Sequence, residues 1–303
     1  MRRRFAIKVI VPLLLGASLA VAGYAAGRNE VDPGPARFLS SLELRAKPQW
    51  FGGFSAISVA ADGQKVVLLT DRSHLLEGVI ERQADRISGL LVHSHNQLRN
   101  RKGQTMTSGR DSVDSEGLAL APDGALFVSF EGQARVSRYN SHRSAAQDLP
   151  RPKAFRVYED NKALEALGID SHGQLYTVPE NSPGDQFPVW RWDGARWEQP
   201  FSISKYDGYL PVGLDIGPDG RFYLLERKFV WIGFRSRLRR WDLSEEGLTN
   251  ETELLRTGLA AHDNLEGLSV WRTATGGLRA TMVSDDNFMP FQRSELVEYH
   301  LPN

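Results

Sequence analysis

The chain has 303 residues, of which 41% are hydrophobic and 24% are charged, a composition typical of a globular protein. Lys plus Arg and Asp plus Glu number 37 each, so the overall charge gives no argument for binding nucleic acid or an anionic membrane. Cysteine is absent, which excludes disulfides, thiolate nucleophiles and cysteine-based metal sites.

The N-terminal segment is typical of a targeting sequence. Three consecutive arginines precede an apolar run that ends in small residues near Ala26. This order favours a cleaved secretory signal peptide. The apolar run is also close to the minimum length that spans a bilayer, so an uncleaved inner-membrane anchor is the alternative. Both interpretations predict a periplasmic or secreted location and three regions: a signal or anchor at 1–26, a linker at 27–36 and a folded domain at 37–303.

Five segments of the folded domain repeat one pattern. Each has a short apolar strand, a turn containing glycine and a second strand that ends in an acid. We call the residue eight positions before the turn glycine the anchor, with its equivalent in the last repeat, where the turn is longer. The anchors are Ser55, Glu116, Glu165, Val212 and Glu266. Short β-rich repeats that recur about every 50 residues indicate a β-propeller.

Further strand-like runs follow these hairpins. Alternating apolar and polar residues mark them as half-buried strands at 134–140, 153–159, 187–193, 195–203, 236–243 and 251–257. The last repeat supplies only three strands, ending at 294–301, whereas the run at 37–45 has no partner. We therefore predict an all-β, five-bladed propeller in which the N-terminal strand closes the last blade. Six blades are the alternative if the connection 93–114 hides a divergent one.

Acids recur at the ends of the hairpins. The predicted cross-strand pairs are Glu116 with Glu131, Glu165 with Glu180, and Glu266 with Asp285 or Asp286. The first strand of each propeller blade lines the central channel, so several blades should send carboxylates to one mouth. Like charges placed directly opposite each other destabilise a sheet unless something compensates them.

Three kinds of compensation suit these acids. Calcium takes six to eight oxygen ligands from carboxylates and carbonyls. Basic neighbours such as Arg72, Arg227 and Lys228 are a second source of positive charge. A shared proton, which keeps one carboxyl of a pair neutral, is the third. The structural alternative is that a Glu before Gly-Leu hydrogen-bonds backbone N–H groups between blades.

The repeats resemble the phytase-like family, which is described by an esterase-like activity. The resemblance runs from about residue 52 to the C-terminus. Four segments carry it: DSEGLALAPDGALFVSFE, NKALEALGIDSHGQLYTVPEN, VGLDIGPDGRFYLLERKF and DNLEGLSVWRTATGGLRATMVSDDNF. The last of these segments is the most specific. The resemblance implies a secreted or periplasmic propeller that hydrolyses an ester or phosphoester, with Ca²⁺ as the metal.

The acidic motif positions of the family fall on eight acids of this chain, and we assign roles to these acids and to the basic residues near them. The expected metal ligands are Glu116, Glu131, Glu180, Glu226, Asp285 and Asp286. Glu165, Glu266 and Arg227 are the expected catalytic residues, and Arg72, Lys228 and His262 are expected to bind substrate. The expected partner of this monomer is a small-molecule ester or phosphoester, with no nucleic acid. The alternative is a non-catalytic propeller that binds a ligand or protein and uses its carboxylates structurally.

Overall fold

A computed structural model of the chain describes residues 34–48, 50–106, 113–158 and 163–303. The predicted signal or anchor at 1–26 and most of the predicted linker lie outside these ranges. Within them, no helix combines the length and apolarity needed to cross a membrane.

The described residues form five antiparallel sheets of four strands each. The first strand of the chain is β1 (Arg37–Leu44). Blade 1 contains β2 (Phe54–Val59), β3 (Lys65–Thr70), β4 (His74–Gln83) and β5 (Arg86–Gln97). Blade 2 contains β6 (Ser115–Leu120), β7 (Leu126–Phe130), β8 (Arg135–Tyr139) and β9 (Gln147–Asp148). Blade 3 contains β10 (Ala166–Ile169), β11 (Leu175–Val178), β12 (Gln186–Trp192) and β13 (Trp197–Ser204).

The remaining two blades complete a ring. Blade 4 contains β14 (Leu210–Ile216), β15 (Phe222–Val230), β16 (Gly233–Ser244) and β17 (Gly247–Arg256). Blade 5 contains β18 (Asn264–Arg272), β19 (Leu278–Asp285), β20 (Ser294–Leu301) and β1. The innermost strands contact each other in the closed order β2, β6, β10, β14, β18 and back to β2. The prediction of an all-β, five-bladed propeller is confirmed, and 93–114 holds no sixth blade among its described residues.

The prediction that the N-terminal strand closes the last blade is also confirmed. β1 pairs antiparallel with β20 and places Leu42 opposite Leu296. Leu44 is buried in an apolar cluster that also contains Phe54 of blade 1. β1 therefore ties the two ends of the chain together and covers an edge that blade 5 would otherwise expose.

One predicted strand is wrong. Residues Lys153–Tyr158 form a 3₁₀ helix, and the outer strand of blade 2 is β9. Residues three apart lie on the same face of a 3₁₀ helix, which places the buried Phe155 and Tyr158 together. Both then contact Trp190 of blade 3. The spacing of the apolar residues suits a strand or a 3₁₀ helix, and packing against Trp190 favours the helix.

Four of the five anchors lie at β-bulges. The register shifts at Ser55, Glu116, Val212 and Glu266. A bulge adds one unpaired residue and re-aims its side chain. The glycine that follows Glu116 and Glu266 has a separate cause, close approach of the next inner strand. A Cβ on Gly117 would lie 2.7 Å from the carbonyl oxygen of Glu165 in blade 3.

Removal of residues 1–45 should open the ring, because β20 then has an unpaired edge and the apolar contacts of Leu42 and Leu44 are lost. We expect this shortened chain to aggregate or to lose its cooperative thermal transition, as measured by size-exclusion chromatography and circular dichroism. A chain that begins at residue 34 keeps β1 and is the control. A shortened chain that stays monomeric with an unchanged melting temperature would contradict the closing role of β1.

Candidate functional site

The hairpin ends of the five blades occupy one equivalent position. In blades 1 to 3 the backbone N–H groups of Asp71, Glu131 and Glu180 donate to the carbonyls of Gly53, Asp114 and Ala163. In blades 4 and 5 the same pairing is made by Arg227 with Leu210 and by Asp285 with Asn264. Four blades thus place an acid at this position and blade 4 places an arginine.

The acids at this position meet the acidic anchors at one end of the channel. Glu116 lies within electrostatic range of Glu165 and Glu266, and Asp71 within range of Asp285. The axial cavity between the inner strands has a volume of about 10 Å³, room for about one water molecule. We call the cluster the acidic mouth; its members are Asp71, Asp114, Glu116, Glu131, Glu165, Glu180, Glu266 and Asp285.

Arg227 reaches into the acidic mouth from blade 4. Its Nη2 lies 3.1 Å from Oε1 of Glu180 and 3.9 Å from Oε2 of Glu165, and its Nη1 contacts Glu266. The amide of Asn264 accepts a hydrogen bond of 2.9 Å from Arg227 and donates one of 2.8 Å to Glu266. One guanidinium therefore links carboxylates of blades 3 and 5.

Another part of the acidic mouth has the geometry of a cation site. Carboxylate oxygens of Asp114, Glu116 and Glu131 lie within 4.8 Å of one another. Calcium binds oxygens at about 2.3–2.6 Å, so two ligands of one ion lie at most about 5 Å apart. In addition, Oδ1 of Asp71 is buried and has no hydrogen-bond partner among the described residues. Oxygen-only donors and an unsatisfied buried carboxylate oxygen both fit a hard cation.

Burial and mutual repulsion shift the protonation of the acidic mouth. Burial, with neighbouring charges, raises the pKa of Asp71, Glu131 and Glu266 to about 7 and that of Asp285 to about 8. Burial would lower the pKa of Arg227, but its three carboxylate partners outweigh burial and raise it. At neutral pH the mouth holds a permanent guanidinium beside carboxyls that exchange protons readily.

The sequence of this site matches a known family over most of the chain. The family model described as "Phytase-like: Esterase-like activity of phytase" matches residues 49–288. The chain belongs to the phytase-like family. No curated protein gives a significant match to it.

Solved structures similar to this phytase-like chain show the fold alone. The catalytic domain of a GH62 α-L-arabinofuranosidase from Coprinopsis cinerea is 13% identical, with a TM-score of 0.54 over 89% of this chain and 98% of that one. PQQ-bound aldose sugar dehydrogenase from Streptomyces coelicolor is 12% identical, with a TM-score of 0.47 over 90% and 100%. Virginiamycin B lyase from Staphylococcus aureus is 15% identical, with a TM-score of 0.42 over 87% and 74%.

The structure brings together most of the residues that the sequence predicts for the phytase-like site. Arg227 and all the predicted acids except Glu226 and Asp286 lie in the acidic mouth. Glu226 is fully buried elsewhere and binds two arginines: its oxygens lie 2.8 Å from Arg237 and 2.6 Å from Arg239. It precedes the equivalent hairpin position by one residue, and successive residues of a strand point to opposite faces.

The other predicted residues surround the acidic mouth at different places. Asp286 accepts hydrogen bonds of 3.0 Å from the backbone of Gly53 and Phe288, so it orders a turn. The guanidinium of the exposed Arg72 lies 3.5 Å above the Phe288 ring, at the rim. Lys228 points to the opposite face of β15 from Arg227 and donates to the carbonyl of Asp207 at 2.7 Å.

His262 faces a neighbouring cavity, where its Nε2 lies 2.7 Å from the hydroxyl of Tyr299.

Three residues of the site are absent from the predicted set. Asp71 ends the first hairpin in the same way as the other acids end theirs. The turn of this hairpin is one residue longer, so a count from the turn glycine that allows for the extra residue would identify Asp71. Asn264 belongs to the motif DNLEG, which marks the segment but not the role of the amide. Asp114 has no sequence signal beyond its position two residues before the anchor Glu116.

The acidic mouth should make the metal-free protein less stable as pH rises from 6.5 to 8. A carboxyl whose pKa is about 7 to 8 in the folded state keeps a proton that the unfolded chain releases near pH 4, so rising pH favours unfolding until the folded state is also deprotonated. A free energy change of 1 kcal/mol moves the melting temperature by about 2–4 °C at this size, so several carboxyls should shift it by several degrees.

The measurement is thermal unfolding in EDTA at several pH values. The range begins at 6.5 because His74, whose pKa burial lowers to about 4, contributes an opposite slope below that pH. A melting temperature that stays constant or rises between pH 6.5 and 8 would contradict the burial of these acids.

Replacement of Glu226 by Gln should destabilise the protein by about 3–5 kcal/mol, because it leaves Arg237 and Arg239 buried without their shared counter-ion. Urea unfolding measures the change. Glu245→Gln is the matched control: it removes an exposed ion pair to Arg191 and should cost less than about 1 kcal/mol. Equal effects of the two substitutions would contradict the structural role of Glu226.

Proposed function

We propose that the protein is an extracytoplasmic, monomeric hydrolase that cleaves a small-molecule ester or phosphoester at the acidic mouth, with Ca²⁺ as its metal. The family description supports a hydrolase, and the N-terminal sequence supports a location in the periplasm or outside the cell. The observation that carries the proposal is the excess of eight carboxylates over the guanidinium of Arg227. Such an excess favours a bound cation.

The residues that would hold Ca²⁺ are Asp114, Glu116 and Glu131, whose oxygens already lie within reach of one ion. The buried and unsatisfied Oδ1 of Asp71 is a further donor. Calcium, when bound, supplies positive charge that polarises the substrate and favours deprotonation of water.

The phytase-like chain itself supplies proton transfer and charge beside that site. A carboxyl with a pKa of about 7, such as that of Glu266, gives and takes protons efficiently at neutral pH. Glu165 and Arg227 complete this group, since the guanidinium fixes both carboxylates in place. The exposed Arg72 at the rim is the residue placed to meet a negatively charged substrate as it enters.

Charge favours small substrates over polyanions. A mouth that carries so many carboxylates repels a polyphosphate until several cations are bound. A neutral carboxylic ester, or an ester with a single phosphate, meets less repulsion. We therefore place these ahead of inositol phosphates as the substrate class.

The test combines metal binding with turnover. After EDTA treatment, added Ca²⁺ should raise the melting temperature, and the calcium-loaded protein should hydrolyse p-nitrophenyl acetate or p-nitrophenyl phosphate with saturation. Glu165→Gln and Glu266→Gln should each lower kcat/KM by about 10²-fold or more, the usual contribution of a general acid or base.

The exposed Glu245→Gln serves as the control and should keep full activity. Circular dichroism must show that the two site variants fold. If folded Glu165→Gln and Glu266→Gln keep full activity, the assignment of these two residues fails.

A second candidate is a non-catalytic propeller, favoured by the contacts of Arg227. Its ion pairs connect blades 3, 4 and 5, as expected of a group whose task is to hold the ring together. This function predicts stabilisation by Ca²⁺ with no turnover of any ester.

A further inference from the structure

A large apolar cavity lies beside the acidic mouth. Its volume is about 830 Å³, and its walls are the tip of the β15–β16 hairpin and the connection between β19 and β20. The hairpin tip contributes Phe229, Trp231 and Ile232, and the connection contributes Met289 and Phe291. Trp231 is 93% exposed and Phe291 is 75% exposed. Large apolar side chains clustered on a surface in this way mark a binding site.

Residues that line the cavity adjoin residues of the acidic mouth at three places in the chain. Arg227 and Phe229 lie two residues apart on β15, so their side chains share one face of the strand. Asn264, which donates a hydrogen bond to Glu266 of the mouth, follows two residues after His262 of the cavity. Asn287 lines the cavity, and its backbone N–H donates to Asp285 at 2.7 Å. A ligand in the cavity is therefore next to the carboxylates.

The polar groups of the cavity are already held in place. The buried His262 lies against the Tyr299 hydroxyl, and Asp263 accepts a hydrogen bond of 3.0 Å from the backbone of Arg293. Apolar walls with a few oriented polar groups are typical of small-molecule sites.

The backbone of the cavity walls gives an independent observation. Trp231, Ala260 and Asn287 have φ angles of 37°, 54° and 46°. Residues other than glycine adopt such angles at a cost of about 1–3 kcal/mol each, and they concentrate at ligand sites. Asn adopts such angles readily, so the argument rests on Trp231 and Ala260, and these two in one cavity favour a binding role over a chance arrangement of exposed apolar residues.

We propose that this cavity binds the alkyl or aryl group of the substrate, so that the protein prefers esters with an extended apolar chain. The assignment rests on the proposed hydrolase function, which it deepens by naming the substrate class. A membrane surface is the less favoured occupant, because the site is concave and the adjoining carboxylates repel anionic headgroups.

The first test is a chain-length series of p-nitrophenyl acetate, butyrate and octanoate. We expect kcat/KM for the octanoate to exceed that for the acetate by at least about tenfold, since each buried methylene adds to binding. Trp231→Ala and Phe291→Ala should lower the octanoate-to-acetate ratio by about tenfold, mainly through KM for the octanoate. Leu91→Ala, which removes an apolar side chain that is 58% exposed on β5, is the matched control and should leave the ratio unchanged.

The second test measures binding without turnover. Octan-1-ol, but not ethanol, should shift the fluorescence of the exposed Trp231 to shorter wavelength, and Trp231→Phe should lose this change. If octanol binds in this way but no ester is hydrolysed, the proposed function fails and the cavity assignment stands. If esters are hydrolysed with no chain-length preference and octanol does not bind, the cavity assignment is overturned.

Vesicles of phosphatidylglycerol and phosphatidylethanolamine test the remaining candidate occupant of the cavity, a membrane surface. Vesicle binding that Trp231→Ala abolishes, together with a flat chain-length profile, would overturn the substrate assignment in favour of a membrane surface.

Discussion

Repulsion among the carboxylates on the propeller axis is the constraint on which this structure depends. No single hairpin would keep acids at both of its ends in a buried place, because deprotonation drives them apart. The ring holds them because each inner strand packs against two neighbours and β1 pairs with β20 to close the circle. The glycine after Glu116 and after Glu266 allows the close strand approach, and a bulge at each of these two anchors re-aims its side chain. Architecture and charge are therefore coupled at the mouth.

The same residue type has opposite roles in this chain according to its counter-ions. Glu226 is matched by Arg237 and Arg239, and Glu298 is matched in the same way by Arg82 and Arg279. In each of these clusters the arginines neutralise the charge of the acid, and the ion pairs stabilise the fold. In the acidic mouth the acids outnumber the guanidinium of Arg227, and the balance must come from protons or a cation. The ratio of acids to arginines separates a structural cluster from a candidate site.

The repeat pattern in the sequence was enough to predict the blades, their number and the closing strand, because turn glycines and strand alternation are local signals. It was not enough to decide the 3₁₀ helix at Lys153–Tyr158, whose apolar spacing suits a strand equally well until Trp190 is placed beside it. The repeat pattern also did not show to which face of its strand the side chain of Glu226 points. A shift of one residue reverses the side of a strand, and the register depends on the bulge at Val212, which the sequence does not mark. Asp114 was not predicted as a site residue, because its role comes from proximity to Glu131 of the facing strand and not from any motif.

Blade 4 differs from the other blades at the mouth, and its differences are linked to one another. Its anchor is Val212 and its hairpin-end residue is Arg227, so it contributes an apolar group and a cation where its neighbours contribute acids. Its second strand is also longer: β15 has nine residues, whereas β7 has five and β11 has four. The extra length carries the chain past the mouth and raises Phe229 and Trp231 above it. One elongated hairpin thus delivers both the guanidinium that fixes the carboxylates and the apolar wall beside them. A substrate with one polar end and one apolar end would match this arrangement, because the same strand meets both ends.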